Sequence, residues 1–160
     1  VTIRPESAKD REAIAALTTR AFTGHPYSSG TEAAIIARFR AADALRLSLV
    51  AAEEGRLLGH VAFSPANHAG WFSLGPVSVE PDVQKCGIGS ALINAGLDAL
   101  AKDGAHGCIL MGNPAYYVRF GFEVCPALCP PGLPGEYFMV KRFGEALPDG
   151  AFAFHPAFFG

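Results

Sequence analysis

A short glycine-containing segment, residues 84–90, carries side chains in an order that suits phosphate binding. It reads Gln-Lys-Cys-Gly-Ile-Gly-Ser and joins a strand-like apolar run at 74–79 to a helix-patterned run at 88–103. The first N–H groups of a helix lack intrahelical acceptors and lie at the positive end of the helix dipole. Because glycine lets a ligand approach the backbone closely, the segment predicts an anion site built from main-chain N–H groups.

The glycine spacing separates this segment from two common nucleotide-binding motifs. A dinucleotide fingerprint requires a third small residue three positions after Gly89, and that position holds Leu92. A P-loop requires Gly-Lys followed by Ser or Thr, which residues 84–90 lack. A different phosphate-bearing ligand is therefore predicted.

Residues 113–122 form a second motif, Asn-Pro-Ala-Tyr-Tyr-Val-Arg-Phe-Gly-Phe. Together with Gln84-x-x-Gly87-x-Gly89 it resembles the two motifs of the GNAT superfamily of acetyltransferases, a coenzyme A pyrophosphate loop and a later Asn, Ala and Tyr-x-x-x-Gly-Phe series. Tyr117 falls on the motif tyrosine. The resemblance covers residues 47–140. The short Asn-to-Tyr spacing and a His-Pro-Ala-Phe tail are similar to a branch of predicted bacterial acetyltransferases.

The resemblance implies an α/β fold with a mixed, mostly antiparallel sheet, a central splayed parallel pair and flanking helices. It implies an enzyme that moves the acetyl group of acetyl-CoA to a primary amine by direct attack in a ternary complex, without a metal. The strand before the loop would pair with the pantetheine arm, the loop would hold the pyrophosphate, and two later side chains would lie beside the arm. In that order, the implied cofactor-binding residues are Val77, Ser78 and Val79; Gln84, Lys85, Cys86, Gly87, Ile88, Gly89 and Ser90; and Asn113 and Tyr116.

Acyl transfer from a thioester to an amine needs a neutral amine, a polarised carbonyl and a stabilised or protonated thiolate. A backbone N–H at a strand bulge meets the second need, and a tyrosine hydroxyl near the sulfur meets the third. We therefore hypothesise that Tyr117 is the catalytic general acid. The alternative is that Tyr117 is a core residue packed between helix and sheet.

The sequence does not identify a general base. Members of the GNAT superfamily often carry a glutamate on the strand before the loop, where Ser73 and Ser78 offer no carboxylate. Glu80 lies past that place and is interpreted as a solvated turn residue. His60 and His68 are candidates, against the alternative that each is structural or on the surface. A water relay, or an amine that arrives neutral, would need no dedicated base.

Cys86 lies in the loop at a predicted helix N-terminus, a position that makes thiols reactive. One interpretation is a redox-sensitive switch of cofactor binding, and the other is a tolerated small residue, since the loop binds through its backbone. Four cysteines do not make a disulfide framework in a chain of 160 residues, so free thiols are expected. No second ligand pair accompanies Cys125 and Cys129, so no zinc site is predicted.

Hydrophobic periodicity predicts the elements that position these residues. We expect helices at 8–22, 31–42 and 88–103, a helical turn at 114–119, and strands at 2–4, 47–52, 57–64, 71–79, 108–111, 122–125 and 136–141. The strand, helix and strand over 71–111 predict a right-handed parallel crossover. Gly75-Pro76 predicts a bulge that leaves backbone groups of Val77 and Val79 for a ligand. The segment 23–30 is interpreted as a surface connection or a substrate cover.

Composition narrows the expected partners. Half of the chain is hydrophobic, without an unbroken run long enough to span a membrane, and no secretory signal is seen. The net charge of −2 and scattered basic residues argue against nucleic-acid binding.

We expect one cytoplasmic acetyltransferase domain over 1–160 that acts on a small-molecule or protein amine. The alternative function is a non-catalytic acyl-CoA-binding or regulatory domain. The tail aromatic residues are expected to pack on the domain, and the alternative is that they form a homodimer interface; they are Phe143, Phe152, Phe154, Phe158 and Phe159.

Overall fold

A computed structural model describes residues 1–25, 28, 30–144 and 146–160. The helices in these ranges are α1 (Arg11–Phe22), α2 (Glu32–Ala41), α3 (Ile88–Lys102) and α4 (Pro114–Tyr117). The strands are β1 (Thr2–Pro5), β2 (Leu47–Glu53), β3 (Arg56–Pro65), β4 (Trp71–Val79), β5 (Gly107–Met111), β6 (Glu123–Val124) and β7 (Phe138–Arg142). Each predicted helix and strand is present, with ends that differ by up to three residues. The predicted connection at 23–30 falls partly outside the described residues.

The strands form one seven-stranded sheet in the order β1-β2-β3-β4-β5-β7-β6. Every neighbouring pair is antiparallel except β4 and β5, which are parallel and are joined through α3. The predicted α/β fold class, with a single central parallel pair, is therefore confirmed.

The parallel pair separates part-way along its length. β4 pairs with β5 only over Trp71–Ser73, whereas it follows β3 to the register pair Gly59 and Val79. Between two register pairs, β4 contributes Gly75 and Pro76 where β3 contributes a single residue. The predicted bulge is confirmed, and it lies where β4 leaves β5.

Helix α3 packs against one face of the sheet through its apolar stripe, which comprises Ile88, Leu92, Ile93, Leu97 and Leu100. The helix and the sheet approach closely at two glycines. A Cβ added to Gly96 would lie 2.2 Å from the Phe63 ring, and one on Gly59 would lie 2.9 Å from Leu92. Small residues at these points bring the N-terminus of α3 down onto the end of β4.

The opposite face of the sheet packs against α1 and α2. An apolar cluster of Ile14, Leu17, Ile36, Val50 and Leu57 joins them. Beside it lies a group of buried polar side chains: Thr18, Ser48, His60, Ser64, Ser73 and Ser78. Buried polar groups need partners, so this face carries a hydrogen-bonded network within an apolar setting.

The tail folds back on the domain, as predicted. Phe152 is fully buried against Trp71 and Phe138, and Phe158 stacks edge-on against Phe39. Phe159 differs, because 68% of it is exposed. In the described ranges, no helix combines the length and apolar character needed to cross a membrane.

Candidate functional site

The N-terminus of α3 presents backbone donors without intrahelical partners. Gly87 is the N-cap, with a φ of 86°, and the N–H of Ala91 donates to its carbonyl at 3.0 Å as the first helical bond. The N–H groups of the three intervening residues, Ile88, Gly89 and Ser90, consequently have no acceptor within the helix. Lys85 is also left-handed, with a φ of 64°, so the chain turns sharply before the helix. This geometry suits an anion.

The loop is tied to the end of β4 by a side chain. The Nε2 of Gln84 donates to the carbonyl of Val79 at 3.1 Å. The N–H of Glu80 donates to the carbonyl of Leu58 on β3 at 2.9 Å. Because the backbone groups of successive residues in a strand point alternately to its two sides, the N–H and C=O groups of Val77 and Val79 point away from β3. Of the described strands, none pairs with β4 on that side beyond Ser73.

Helix α4 brings a tyrosine to the same place. A Cβ on Gly89 would lie 3.6 Å from both the Tyr116 hydroxyl and the Val79 side chain. Arg119 lies over the Tyr116 ring, 4.5 Å from its centroid, and its Nε donates to the Tyr116 carbonyl at 2.9 Å. The end of β4, the start of α3 and α4 therefore converge.

Asn113 caps α4, since its Oδ1 accepts from the N–H of Ala115 at 3.0 Å. Tyr117 packs edge-on against Tyr116 and Phe122, and its ring covers Gly112. Burial, together with the neighbouring Tyr116, raises the pKa of Tyr117 to about 12. The phenol thus keeps its proton at neutral pH, as a general acid must before it donates. The packing equally suits the alternative core role.

The other loop residues differ in exposure. Lys85, Cys86 and Gly87 are exposed, Ile88 is buried in the core, and Gly89 and Ser90 are half-buried. All four cysteines are free, as expected, and Cys86 is the exposed one. Among the described residues, no three His, Cys, Asp or Glu side chains are grouped as metal ligands.

The interpretation of Glu80 as a solvated turn residue is wrong. Glu80 is only 5% exposed, and Arg20 on α1 binds both of its carboxylate oxygens, at 2.9 and 2.6 Å. The carboxylate is buried because α1 lies over the end of β4, a contact sixty positions apart in sequence. A second, exposed pair joins Arg56 to Asp82 at 2.9 Å. Two arginines thus fix the segment that leads into the loop.

A cavity of about 460 Å³ lies at the end of α1, next to the start of α2. Its described polar lining comprises Thr18, Thr19, Thr23, His25, Ser28 and Glu32. Glu32 is the only carboxylate in that lining, which contains no lysine or arginine, and it accepts from Ser28 at 2.8 Å. Ser78 of β4 donates to Thr18 at a long 3.4 Å, so the cavity adjoins the splayed strand.

The two histidine candidates lie in different surroundings. The Nε2 of His68 lies 3.1 Å from the carbonyl of Ala151 in the tail, so this residue helps to hold the tail. His60 is fully buried on β3, and its Nε2 lies 2.7 Å from the Ser48 hydroxyl.

The sequence prediction missed the threonines of α1 altogether. Their signal was two hydroxyl residues, Thr18 and Thr19, beside the apolar positions of an amphipathic helix.

Comparison with known proteins gives consistent matches. The sequence model of the Acetyltransferase (GNAT) family matches residues 11–122. The chain is 36% identical over 127 residues to the uncharacterized N-acetyltransferase YhbS of Escherichia coli K12, which covers 76% of this chain and 73% of YhbS.

Two solved structures are similar over nearly their whole length. A GNAT family acetyltransferase from Brucella melitensis, in complex with acetyl-CoA, is 44% identical with a TM-score of 0.88, and the match covers 98% of this chain and 97% of that one. Escherichia coli YhbS in complex with CoA is 30% identical with a TM-score of 0.89, covering 99% and 93%.

Proposed function

Because the chain belongs to the GNAT family of acetyltransferases, we propose that it uses acetyl-CoA to acetylate a primary amine by direct attack in a ternary complex. One observation carries the proposal. The unpaired N–H groups at the start of α3 lie beside the end of β4, in the part of that strand that β5 does not pair. An anionic group and an extended arm would both be satisfied there by backbone alone.

The residues present fit this co-substrate. The N–H groups of residues 87–90 would hold the pyrophosphate, and the outward-facing backbone of Val77 and Val79 would pair with the pantetheine arm. Tyr116 and Asn113 would lie beside the arm. The Brucella melitensis relative is in complex with acetyl-CoA and Escherichia coli YhbS with CoA, which supports this assignment. When bound, acetyl-CoA supplies an acetyl group activated as a thioester.

Tyr117 is the proposed general acid. Its phenol stays protonated at neutral pH, because burial raises its pKa to about 12. A proton donor of this kind suits a thiolate leaving group, which needs a proton only as the carbon–sulfur bond breaks.

The cavity beside α1 is the proposed acceptor site. It adjoins β4 through the bond between Ser78 and Thr18, on the face of the sheet opposite α3. Its single described carboxylate, Glu32, favours a cationic amine, since its described lining offers no lysine or arginine to repel one.

Two measurements test the proposal. Saturating acetyl-CoA should raise the Tm, whereas NAD and ATP should leave it unchanged, because only a ligand of the folded state stabilises it. Thiol release should then appear with at least one member of a panel of primary amines. Stabilisation without thiol release would indicate a non-catalytic acyl-CoA-binding domain, and no stabilisation would remove the cofactor assignment.

A substitution tests the acid. Tyr117→Phe should lower kcat by about 10²-fold with little change in the KM for acetyl-CoA, since proton transfer contributes on that scale. Tyr137→Phe is the matched control, because Tyr137 is 48% exposed on a separate turn. Unchanged turnover of Tyr117→Phe at all pH values would assign Tyr117 to the core.

A further inference from the structure

His60 lies at one end of a buried polar chain that draws on four separate segments. Its Nε2 is 2.7 Å from the Ser48 hydroxyl on β2, and that hydroxyl donates to Glu6, which precedes α1. Arg40 on α2 binds both oxygens of Glu6, at 2.5 and 3.0 Å. The other ring nitrogen, Nδ1, is buried and has no hydrogen-bond partner among the described residues.

The chain determines which nitrogen of His60 carries the proton. Burial alone would raise the pKa of Glu6, but the bonds from Arg40 and Ser48 lower it, so Glu6 is an acceptor only. The single hydroxyl hydrogen of Ser48 therefore points to Glu6, and its oxygen accepts from His60. Neutral His60 consequently carries its proton on Nε2 and presents a bare lone pair at Nδ1.

His60 is related to the proposed acceptor site through its neighbour on β4. His60 and Ser78 are register partners on adjacent antiparallel strands, so their Cβ atoms are about 5 Å apart on one face of the sheet. Gly59 faces α3, and by alternation His60 faces α1. The Ser78 hydroxyl donates to Thr18 at 3.4 Å, the Thr18 hydroxyl donates to the carbonyl of Ile14 at 2.7 Å, and Thr18 lines the cavity. Polar side chains thus follow one another from the cavity to Glu6, with one gap between Ser78 and Nδ1 of His60.

We propose that Nδ1 of His60 accepts the proton that the acceptor amine loses, with the Thr18 and Ser78 hydroxyls as the connection. This inference rests on the proposed function. The transfer requires both hydroxyls to turn, that of Thr18 from the Ile14 carbonyl to Ser78 and that of Ser78 from Thr18 to His60, by rotation about side-chain bonds between staggered positions. Glu6, held by Arg40, positions the ring and opposes the positive charge that His60 gains.

The step balances in atoms and charge. The amine nitrogen forms a bond to the acetyl carbon, and the carbon–sulfur bond breaks. An amine that arrives as a cation first loses one proton to solvent; the neutral amine then passes its second proton to His60 through the two hydroxyls, while the sulfur takes a proton from Tyr117. After product release, His60 returns one proton to solvent and Tyr117 regains one, so the protein is unchanged.

The charges around His60 keep it neutral between turnovers. Burial lowers the pKa of His60 to about 4; the charge of Glu6 acts in the opposite direction and that of Arg40 in the same one. On the α1 side, Arg20 is neutralised by Glu80. At pH 7 the lone pair of Nδ1 is therefore free to take a proton.

Nitrogen-15 NMR of histidine-labelled protein tests the tautomer without any activity. We expect Nδ1 of His60 to show the shift of an unprotonated nitrogen from pH 8 down to about pH 5, and Nε2 to carry the proton. Ser48→Ala should release the ring from this single tautomer. A proton on Nδ1 of the neutral ring would overturn the inference.

Kinetics test the role. His60→Gln keeps a side-chain N–H for Ser48 but removes the basic nitrogen. With acetyl-CoA and the amine that supports the fastest thiol release, kcat should fall by about 10²-fold at pH 7. The KM for acetyl-CoA should stay the same. The difference in kcat between His60→Gln and the wild type should narrow toward pH 10, because hydroxide can take the amine proton there. A merely structural role of His60 would not produce this pH dependence.

Controls separate this inference from the proposed function. Ser64→Ala, which removes a buried hydroxyl bonded to Ser73 on the same strand face, should leave kcat near the wild-type value. If His60→Gln does not fold, Ser48→Ala takes its place. Its kcat should fall less than that expected for His60→Gln, and the loss should narrow toward pH 10 in the same way. Wild-type kcat and pH profile in the folded variant would overturn the inference and leave the proposed function standing. Stabilisation by acetyl-CoA without transfer to any amine would overturn both.

Discussion

The side-chain amide of Gln84 donates to the backbone carbonyl of Val79 at 3.1 Å, across the turn between β4 and α3. The bond joins the strand proposed to bind the pantetheine arm to the loop proposed to bind the pyrophosphate. Gln84 itself is exposed, so the bond shapes the site more than it stabilises the fold.

Gln84→Ala should weaken acetyl-CoA binding about fivefold, the scale of one hydrogen bond, with little change in Tm. Gln84→Glu should weaken it further, because it replaces the donor with a charge that repels the pyrophosphate. Isothermal titration calorimetry measures both. Tighter binding by Gln84→Ala would mean that the amide competes with the pantetheine arm for the Val79 carbonyl.

Substitutions at two glycines of α3 should affect different properties, one the stability of the fold and the other the affinity for acetyl-CoA. A Cβ at Gly96 would overlap the buried Phe63 ring, so Gly96→Ala should destabilise the fold by about 1–3 kcal/mol with acetyl-CoA affinity unchanged. A Cβ at Gly89 meets only ordinary contacts, so Gly89→Ala should keep the Tm but weaken binding at the helix N-terminus. Chemical denaturation and calorimetry test the pair; loss of stability in Gly89→Ala would contradict this division.

The two arginine–carboxylate ion pairs before the loop should contribute unequally to the Tm and to acetyl-CoA binding. Arg20→Ala leaves the Glu80 carboxylate buried without its partner, and this should lower the Tm and weaken acetyl-CoA binding. Arg56→Ala is the matched control, because Arg56 and Asp82 are both more than half exposed. Equal effects of the two substitutions on Tm would show that burial of Glu80 does not matter.

Cys86 should be the first thiol to react with iodoacetamide, because Cys108 is fully buried and the other two are half-buried. The adduct would lie beside Gly87 and should weaken acetyl-CoA binding. Cys86→Ala should bind normally and resist the reagent. Mass spectrometry locates the adduct, and full affinity after complete modification of Cys86 would end the redox-switch hypothesis.

Stability should fall as the pH drops from about 6.5 to 4. In this window an unfolded chain protonates His60, whereas the folded chain does not, because burial lowers the pKa of His60 to about 4. The slope contributed is at most about 1.4 kcal/mol per pH unit. His60→Gln should flatten urea-derived stability over that range. Glu6 and Asp10, whose pKa values the fold lowers, add to the loss of stability from about pH 5 downward, where an unfolded chain begins to protonate carboxylates.

The parts predicted well were those with local causes. The glycine loop, the helix after it, the bulge at Gly75-Pro76 and the crossover all follow from backbone freedom and hydrophobic period, which nearby residues determine. The parts predicted poorly depended on burial. Glu80 looked like a solvated residue, because Pro81 and Asp82 follow it and its partner Arg20 is far away in the chain.

The amino-acid sequence by itself therefore determined the order of elements, the anion-binding turn at 84–90 and the family. Only the tertiary structure decided what lies on the other face of the sheet. The chain of Arg40, Glu6, Ser48 and His60 comes from four segments that no local pattern relates. Whether such groups are solvated or buried, and which atoms they face, depends on the packing of α1 and α2 over β2, β3 and β4, and this packing sets both their protonation and their hydrogen bonds.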